Sequence, residues 1–212
     1  MLYLKSFQFN PFQQNTYLLY DSDGNAFIID PGNSTSSENT QLKNFIEEKN
    51  LKLTRLLLTH AHIDHILGNK FIFDTYGLLP EAHKEELFFI ERLPQTATMY
   101  GVPFEESPLP EKYIEPGDKI LLGNYEFETL FTPGHSPGSI SFYNKENKLL
   151  LSGDVLFQRS IGRTDLPKGN HETLLKSIHE KLFVLPDDVK VYSGHGPATT
   201  IGYEKANNPF LI

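Results

Sequence analysis

Cysteine and tryptophan are both missing from this chain of 212 residues, and methionine occurs only twice. Without cysteine there is no disulfide framework, no thiol nucleophile and no thiolate ligand, so any metal chemistry falls to histidine and carboxylate. Positive charge is scarce as well. Lys and Arg number 19 against 27 Asp and Glu, a formal net charge of -8, and no basic run interrupts the acidic background. Such a surface repels phosphate backbones and argues against a nucleic-acid partner. No apolar run approaches the roughly 18 residues that span a bilayer, so no membrane partner is expected. The opening MLYLKSFQFNPFQQNTYLLY lacks a basic segment leading into an apolar one. No secretion signal is read, and a cytoplasmic protein is expected. Material for a core is plentiful: 39% of residues are hydrophobic and 12% aromatic.

Residues 2–9 and 15–20 read as strands joined by a turn at Asn10-Pro11. Residues 26–30 form a third strand, closed by Pro31-Gly32. Residues 34–50 open with Ser and Thr caps and place Leu42, Phe45 and Ile46 at helical spacing. The apolar run 55–58 is expected as a buried strand, and strand, helix, strand in this order predicts a parallel pair. Helices are expected over 66–76 and 84–100, then a proline-bearing loop over 102–110 acting as a mobile or lid-like insertion. In the second half, 119–122 and 125–131 flank the hairpin signal Gly123-Asn124, and 139–143 and 148–152 flank another turn. A helix over 172–182, a strand over 189–193 and a short tail follow. No linker divides the chain, so one domain over 1–212 is expected. It would be α/β, with two packed layers of sheet and outer helices.

Histidine is concentrated in one place. Residues 59–65 read THAHIDH and hold His60, His62 and His65, three of the eight histidines, together with Asp64. His60 and His62 are two apart, so on an extended segment they point to the same side. Asp64 and His65 follow and can face a neighbouring point. One metal could take the first pair and a second metal the other, each needing further ligands. Three later segments offer them. His135 lies in TPGHSPG, Asp154 in SGDV and His195 in GHG. Each follows an apolar strand and sits in a glycine-bearing turn, where close backbone approach is permitted. Sites assembled from several strand ends are common in layered α/β proteins. Taken singly, a histidine in a turn is more often structural than ligating. Together the segments make a seven-donor set of nitrogen and oxygen only.

The pattern HxHxDH, followed in order by His135, Asp154 and His195, resembles the metallo-β-lactamase fold superfamily. The resemblance runs from the N-terminal strands and Asp30-Pro31-Gly32 to the final GHG. It implies a four-layer αββα sandwich of two mixed sheets flanked by helices. Within the superfamily the chain is similar to the short bacterial members of the glyoxalase II, or hydroxyacylglutathione hydrolase, group. That likeness implies one metal on His60, His62 and His135, a second on Asp64, His65 and His195, and Asp154 bridging both. Zinc is the first expectation, with iron or manganese as alternatives. The missing cysteine excludes the β-lactamases that bind a second zinc through a thiolate. His62 separates the chain from flavodiiron proteins, which carry a carboxylate there. The chain ends soon after His195, so the helical C-terminal domain of full-length glyoxalase II is expected to be absent.

The implied activity is hydrolysis of an acyl-glutathione-type thioester, a small-molecule substrate. Two divalent ions would lower the pKa of a shared water to roughly 7, giving a hydroxide nucleophile that Asp64 and Asp154 help to hold. The segments GDVLF (153–157) and GRTD (162–165) also resemble persulfide dioxygenases, which keeps single-iron oxygen chemistry as an alternative. Another metallo-hydrolase activity of the fold, on a lactone or phosphodiester, is a further one. Asp30 is the candidate for holding a ligand imidazole in place from behind. Thr59 is expected only to end a strand, and Arg163 to pair with Asp165. Arg163, Lys168, Tyr203 and Lys205 are candidate substrate contacts. His83, His171 and His179 have no motif partner and are read as non-ligands.

Overall fold

In the computed structural model, which describes residues 1–211, neighbouring side chains of each central strand enter different cores. The first half comprises β1 (Leu2–Phe9), β2 (Gln14–Asp21), β3 (Asn25–Ile29), α1 (Ser36–Glu48), β4 (Lys52–Leu57), α2 (Ile63–Ile66), α3 (Asn69–Tyr76), β5 (Pro80–Ala82), α4 (Leu87–Ile90), α5 (Leu93–Tyr100) and β6 (Lys112–Tyr113). The second comprises β7 (Lys119–Leu122), β8 (Tyr125–Phe131), β9 (Ile140–Asn144), β10 (Leu149–Gly153), β11 (Leu156–Phe157), β12 (Ser160–Ile161), α6 (His171–Ser177), β13 (Lys190–Ser193), β14 (Thr199–Thr200) and α7 (Ile201–Asn207). One mixed sheet has the order β1-β2-β3-β4-β5-β6, the other β14-β13-β10-β9-β8-β7, and β11 and β12 form a small hairpin.

Three apolar clusters define four layers. Leu18, Ile28, Leu56 and Leu58 meet Leu42, Ile46, Ile66 and Leu93 in a core between the first sheet and α1–α5. Their neighbours Leu19, Phe27, Ile29 and Leu57 turn the other way and pack on Phe127, Phe142 and Leu151 between the sheets. Leu150 and Val191 enter a third core against Leu174 and Ile178 of the α6 side and Ile201 of α7. Period-two alternation between two covered faces explains why AFII and LLL lack polar residues. Ile28 is wholly buried, and Ile28→Ala would cost about 2–5 kcal/mol. The observed architecture is the expected αββα sandwich.

Several expectations need correction. The helix expected over 66–76 is interrupted, with α2 ending at Ile66 and α3 starting only at Asn69. The stretch 84–100 breaks into a single turn (Lys84–Glu86), α4 and α5. Arg92 leaves helical geometry and Pro94 sits in the first turn of α5, because proline cannot donate the hydrogen bond that would continue the preceding helix. The tail contains β14 and α7. The helix and the parallel strand pair of the first half form as expected. Helix α1 starts at a capping box in which Thr35 and Glu38 satisfy each other's backbone amides, and β3 pairs with β4 in parallel.

The topology gathers strand ends. Strand β8 is antiparallel to β9, β9 to β10, and β10 is parallel to β13. Strands β8, β10 and β13 therefore point one way and finish on one edge. The Ile140 amide donates to the Thr59 carbonyl at 2.8 Å, which joins the segment after β4 to that edge.

Candidate metal centre

His60 and His62 follow β4, His135 follows β8, Asp154 follows β10 and His195 follows β13. Asp64 and His65 lie on α2. His60, His62 and His135 each present one nitrogen, and these atoms lie within 4.8 Å of one another. Asp64, His65 and His195 form a second group at the same spacing. Asp154 stands between them: its Oδ2 is 3.6 Å from His135 Nε2 and 3.5 Å from His195 Nε2. Its Oδ1 is 3.5 Å from His65 Nε2. The fold thus brings together all seven residues singled out in the sequence. Gly194 has to be glycine for this convergence, since a Cβ there would lie 2.1 Å from Asp154 Oδ1.

The imidazoles are aimed from behind. His65 Nδ1 is 3.0 Å from Asp30 Oδ2, and His60 Nδ1 is 3.1 Å from the Thr59 hydroxyl. His135 Nδ1 donates to the Arg163 carbonyl at 2.7 Å, and His195 Nδ1 to the Phe12 carbonyl at 3.1 Å. Occupying one ring nitrogen fixes the ring and directs the other inward. His62 is the exception: its Nδ1 faces His135 Nε2 at 2.8 Å. Asp30 also accepts from the Thr59 amide at 2.7 Å and its hydroxyl at 2.6 Å. Although Asp30, His60 and His65 also lie close enough to group around an ion, the Asp30 oxygens are engaged in holding rather than free to ligate. Thr59 therefore has a task that was not expected of it. Asp30 itself has φ of 51°, a left-handed conformation that aspartate tolerates better than most residues.

Glu86 escaped the sequence reading altogether. It is fully buried and binds both loops that carry the three-imidazole group. One oxygen accepts from the Ala61 amide at 2.7 Å. The other accepts from the Gly138 amide at 2.7 Å and from the Ser136 hydroxyl. Its burial pushes the carboxyl up, while the three donors pull it down, and the net shift is upward. An isolated Glu in a KEEL stretch carries no signal of this role.

Electrostatics divide the two groups. Burial and the surrounding imidazoles push His60 well below its usual range. Burial, then the charge of His135, lowers His62 to about 3. Burial also lowers His135, against the pull of Asp154 and the Arg163 carbonyl. In the other group burial acts the same way on His65, but Asp64, Asp154 and Asp30 outweigh it and hold His65 well above its usual range. His195 is raised despite burial by its hydrogen bond to Asp64 and by Asp154. Burial pushes Asp64 and Asp154 up, yet the charge of His65 and hydrogen bonds to neighbouring imidazoles hold both below the usual carboxylate range.

The donor set suits divalent ions. The Nε2 atoms of His60 and His65 and Oδ1 of Asp154 are buried without a hydrogen-bond partner among the described residues, an arrangement that costs stability unless a cation satisfies it. Three nitrogens serve one group, two nitrogens and a carboxylate the other, and nitrogen and oxygen donors of this kind suit zinc, iron or manganese.

The centre opens into a cavity of about 790 Å³. Its floor includes His62, Asp64, His135, Asp154 and His195, and its walls come largely from α4, α5 and the β11–β12 hairpin. The expected lid, 102–110, contributes no lining residue; within 84–110 it is α4 and α5 that form the wall. Arg163 lines the cavity and pairs with Asp165 at 2.7 Å and 2.6 Å. Lys168 lies beside it, with Nζ 4.3 Å from the centre of the Phe88 ring. Tyr203 and Lys205 do not line it. Helix α7 buries Ile201 and Glu204, which turns the other two outward, and Lys205 binds Asp187 at 2.6 Å and the Leu185 carbonyl at 3.3 Å. His83 packs on Phe131, and His179 on Phe183; His171 opens α6.

Comparison with known proteins agrees with this arrangement. A family model described as the metallo-beta-lactamase superfamily matches residues 9–195. The chain is 44% identical over 202 residues to hydroxyacylglutathione hydrolase GloC of Haemophilus influenzae, covering 94% of this chain and 93% of that one. The crystal structure of BLEG-1 B3 metallo-beta-lactamase superposes with a TM-score of 0.90 at 39% identity, covering 99% of both chains. That of TTHA1623 in a di-iron-bound form superposes at 0.88 with 36% identity, covering 98% of this chain and 100% of the other. Fold, strand-end geometry and relatives thus agree, and the chain belongs to the metallo-beta-lactamase superfamily as a metal-dependent hydrolase.

Proposed function

We propose that the protein is a dinuclear hydrolase of thioesters of the acyl-glutathione type. The observation that carries this reading is the pair of complete donor groups, His60/His62/His135 and Asp64/His65/His195, with Asp154 between them. The likeness to a hydroxyacylglutathione hydrolase over nearly the whole chain supports the substrate class. With two divalent ions held there, the centre would supply an acidified water and an electrophilic hold on a carbonyl oxygen.

The remaining work falls to the chain. Asp154 keeps the two groups at a fixed separation. Asp64, whose Oδ2 lies 2.9 Å from His195 Nε2, stays ionised and can orient the attacking water by accepting its hydrogen. The apolar walls exclude bulk water and bring the thioester carbonyl to the floor. Attack breaks the carbon–sulfur bond, and the products are a carboxylic acid and a thiol. Single-iron oxygen chemistry needs only one donor group, and the second complete group favours hydrolysis.

The test is a thioester panel on protein loaded with zinc, iron or manganese, with metal content measured alongside. Hydrolysis of acyl-glutathione thioesters with about two ions per chain is the expected result. Failure on every glutathione and coenzyme A thioester would remove the proposal, and oxygen uptake with glutathione persulfide by the iron-loaded protein would replace it with the alternative.

A further inference from the structure

We infer that the cavity is an acyl pocket and that its preferred thioesters carry a large apolar acyl group rather than a short hydroxyacyl group. This inference rests on the thioester-hydrolase reading and deepens it.

The cavity, about 790 Å³, is in the range of sites that enclose a whole small ligand. A short hydroxyacyl group would leave most of it unfilled. Its walls are apolar: Phe12, Phe89, Leu93, Met99, Tyr100 and Phe157 all face it. Leu93, Thr96 and Tyr100 repeat at helical spacing along α5 and line it in one stripe. Phe12 meets Tyr100 edge-on at 5.7 Å, so the β1–β2 turn and the end of α5 close one side together. The wall is also uncovered. Met99 is 73% exposed and Tyr100 45%, large side chains that an apolar ligand would cover. Of the two arginines that line it, Arg163 is already paired with Asp165, and Arg92 lies over the Phe88 ring.

Orientation follows from charge. Glutathione and coenzyme A are highly charged, and burying either against these walls would desolvate those charges without partners. The acyl group therefore takes the apolar walls, and the carrier, whose sulfur reaches the floor with the carbonyl, turns its charged ends out to the rim. Two exposed cations stand there, both over the Phe88 ring: Arg92 at 4.0 Å and Lys168 at 4.3 Å. They suit carboxylates of glutathione or phosphates of coenzyme A.

The experiment compares kcat/KM of the metal-loaded protein for lactoyl-, octanoyl- and phenylacetyl-glutathione. Since one buried methylene corresponds to about a fourfold gain, octanoyl- and phenylacetyl-glutathione should exceed lactoyl-glutathione by at least about tenfold. A lactoyl value equal to or above the others overturns the acyl pocket while leaving the hydrolase reading intact. Hydrolysis of none of them removes the hydrolase reading itself. Met99→Glu, at an exposed position, should shrink the octanoyl-to-lactoyl ratio, and an unchanged ratio contradicts the pocket. Arg92→Glu should raise KM for octanoyl-glutathione or octanoyl-coenzyme A, whichever carrier is native, but not for uncharged octanoyl-N-acetylcysteamine. An unchanged KM for both charged carriers, or the same rise for all three carriers, overturns the rim assignment.

Discussion

His60, His62 and His135 form a group of three imidazoles with no carboxylate of their own, whereas Asp64, His65 and His195 mix acid and base and have Asp30 behind them. His65 is as deeply buried as His60, yet the consequences are opposite. In the first group burial and mutual repulsion keep imidazoles neutral, with His62 lowered to about 3. In the second, the carboxylates keep His65 and His195 raised. A proton can stand in for a cation in the mixed group but not in the all-imidazole group. Metal binding to the mixed group must therefore displace protons, and binding to the imidazole group competes with very few at neutral pH. The supporting carboxylates differ in the same sense. Asp30 touches a ring directly, while Glu86 acts through the backbone of the loops around His60, His62 and His135.

Removing a donor should have the largest effect. His62→Ala is expected to reduce thioester hydrolysis to assay background and to lower metal content by one ion, with the mixed group still loaded. Loss of both ions from this single change would show that the groups are not separable. Removing a supporting carboxylate should cost less, about 10–100-fold in metal affinity. Glu86→Ala should weaken the imidazole group alone and Asp30→Ala the mixed group alone, read as two dissociation constants by competition with a chelating dye. Equal weakening of both constants by either variant would collapse the distinction.

The smallest effect lies in the pH dependence of the chelator-treated protein. Because His62 titrates near 3 when folded against 6.5 ordinarily, the unfolded chain binds more protons between those values. Its contribution to stability is complete above pH 6.5 and is lost as pH falls toward 3. His65 and His195 act in reverse: their raised values add stability below pH 6.5 that disappears as pH rises through them. His62→Gln should thus flatten the acid side of a melting-temperature profile measured in chelator. An acid limb as steep as the parent's would assign that loss to other groups.

Much of the centre was legible because its residues follow strands and announce themselves by spacing: THAHIDH after β4, and single His or Asp residues in glycine turns after β8, β10 and β13. The layering was legible from apolar runs flanked by turns. What stayed hidden acts through the backbone or across long separations. The carbonyls of Phe12 and Arg163 orient His195 and His135, and a carbonyl has no side-chain signature. Glu86 reaches Ala61 and Gly138 across 25 and 52 residues. The break between Ile90 and Leu93 was read as continuous helix, although Pro94 just beyond it cannot donate a helical hydrogen bond. Tyr203 and Lys205 were misplaced because the face that α7 buries depends on the third core, which local sequence does not reveal.

The proposed function requires two ions, held by two chemically different groups that share Asp154. Anomalous diffraction from crystals of the metal-loaded protein tests it directly. Two peaks are expected, one among His60, His62 and His135 and one among Asp64, His65 and His195, with Asp154 between them. A single peak in fully active protein, or peaks away from these residues, would contradict it.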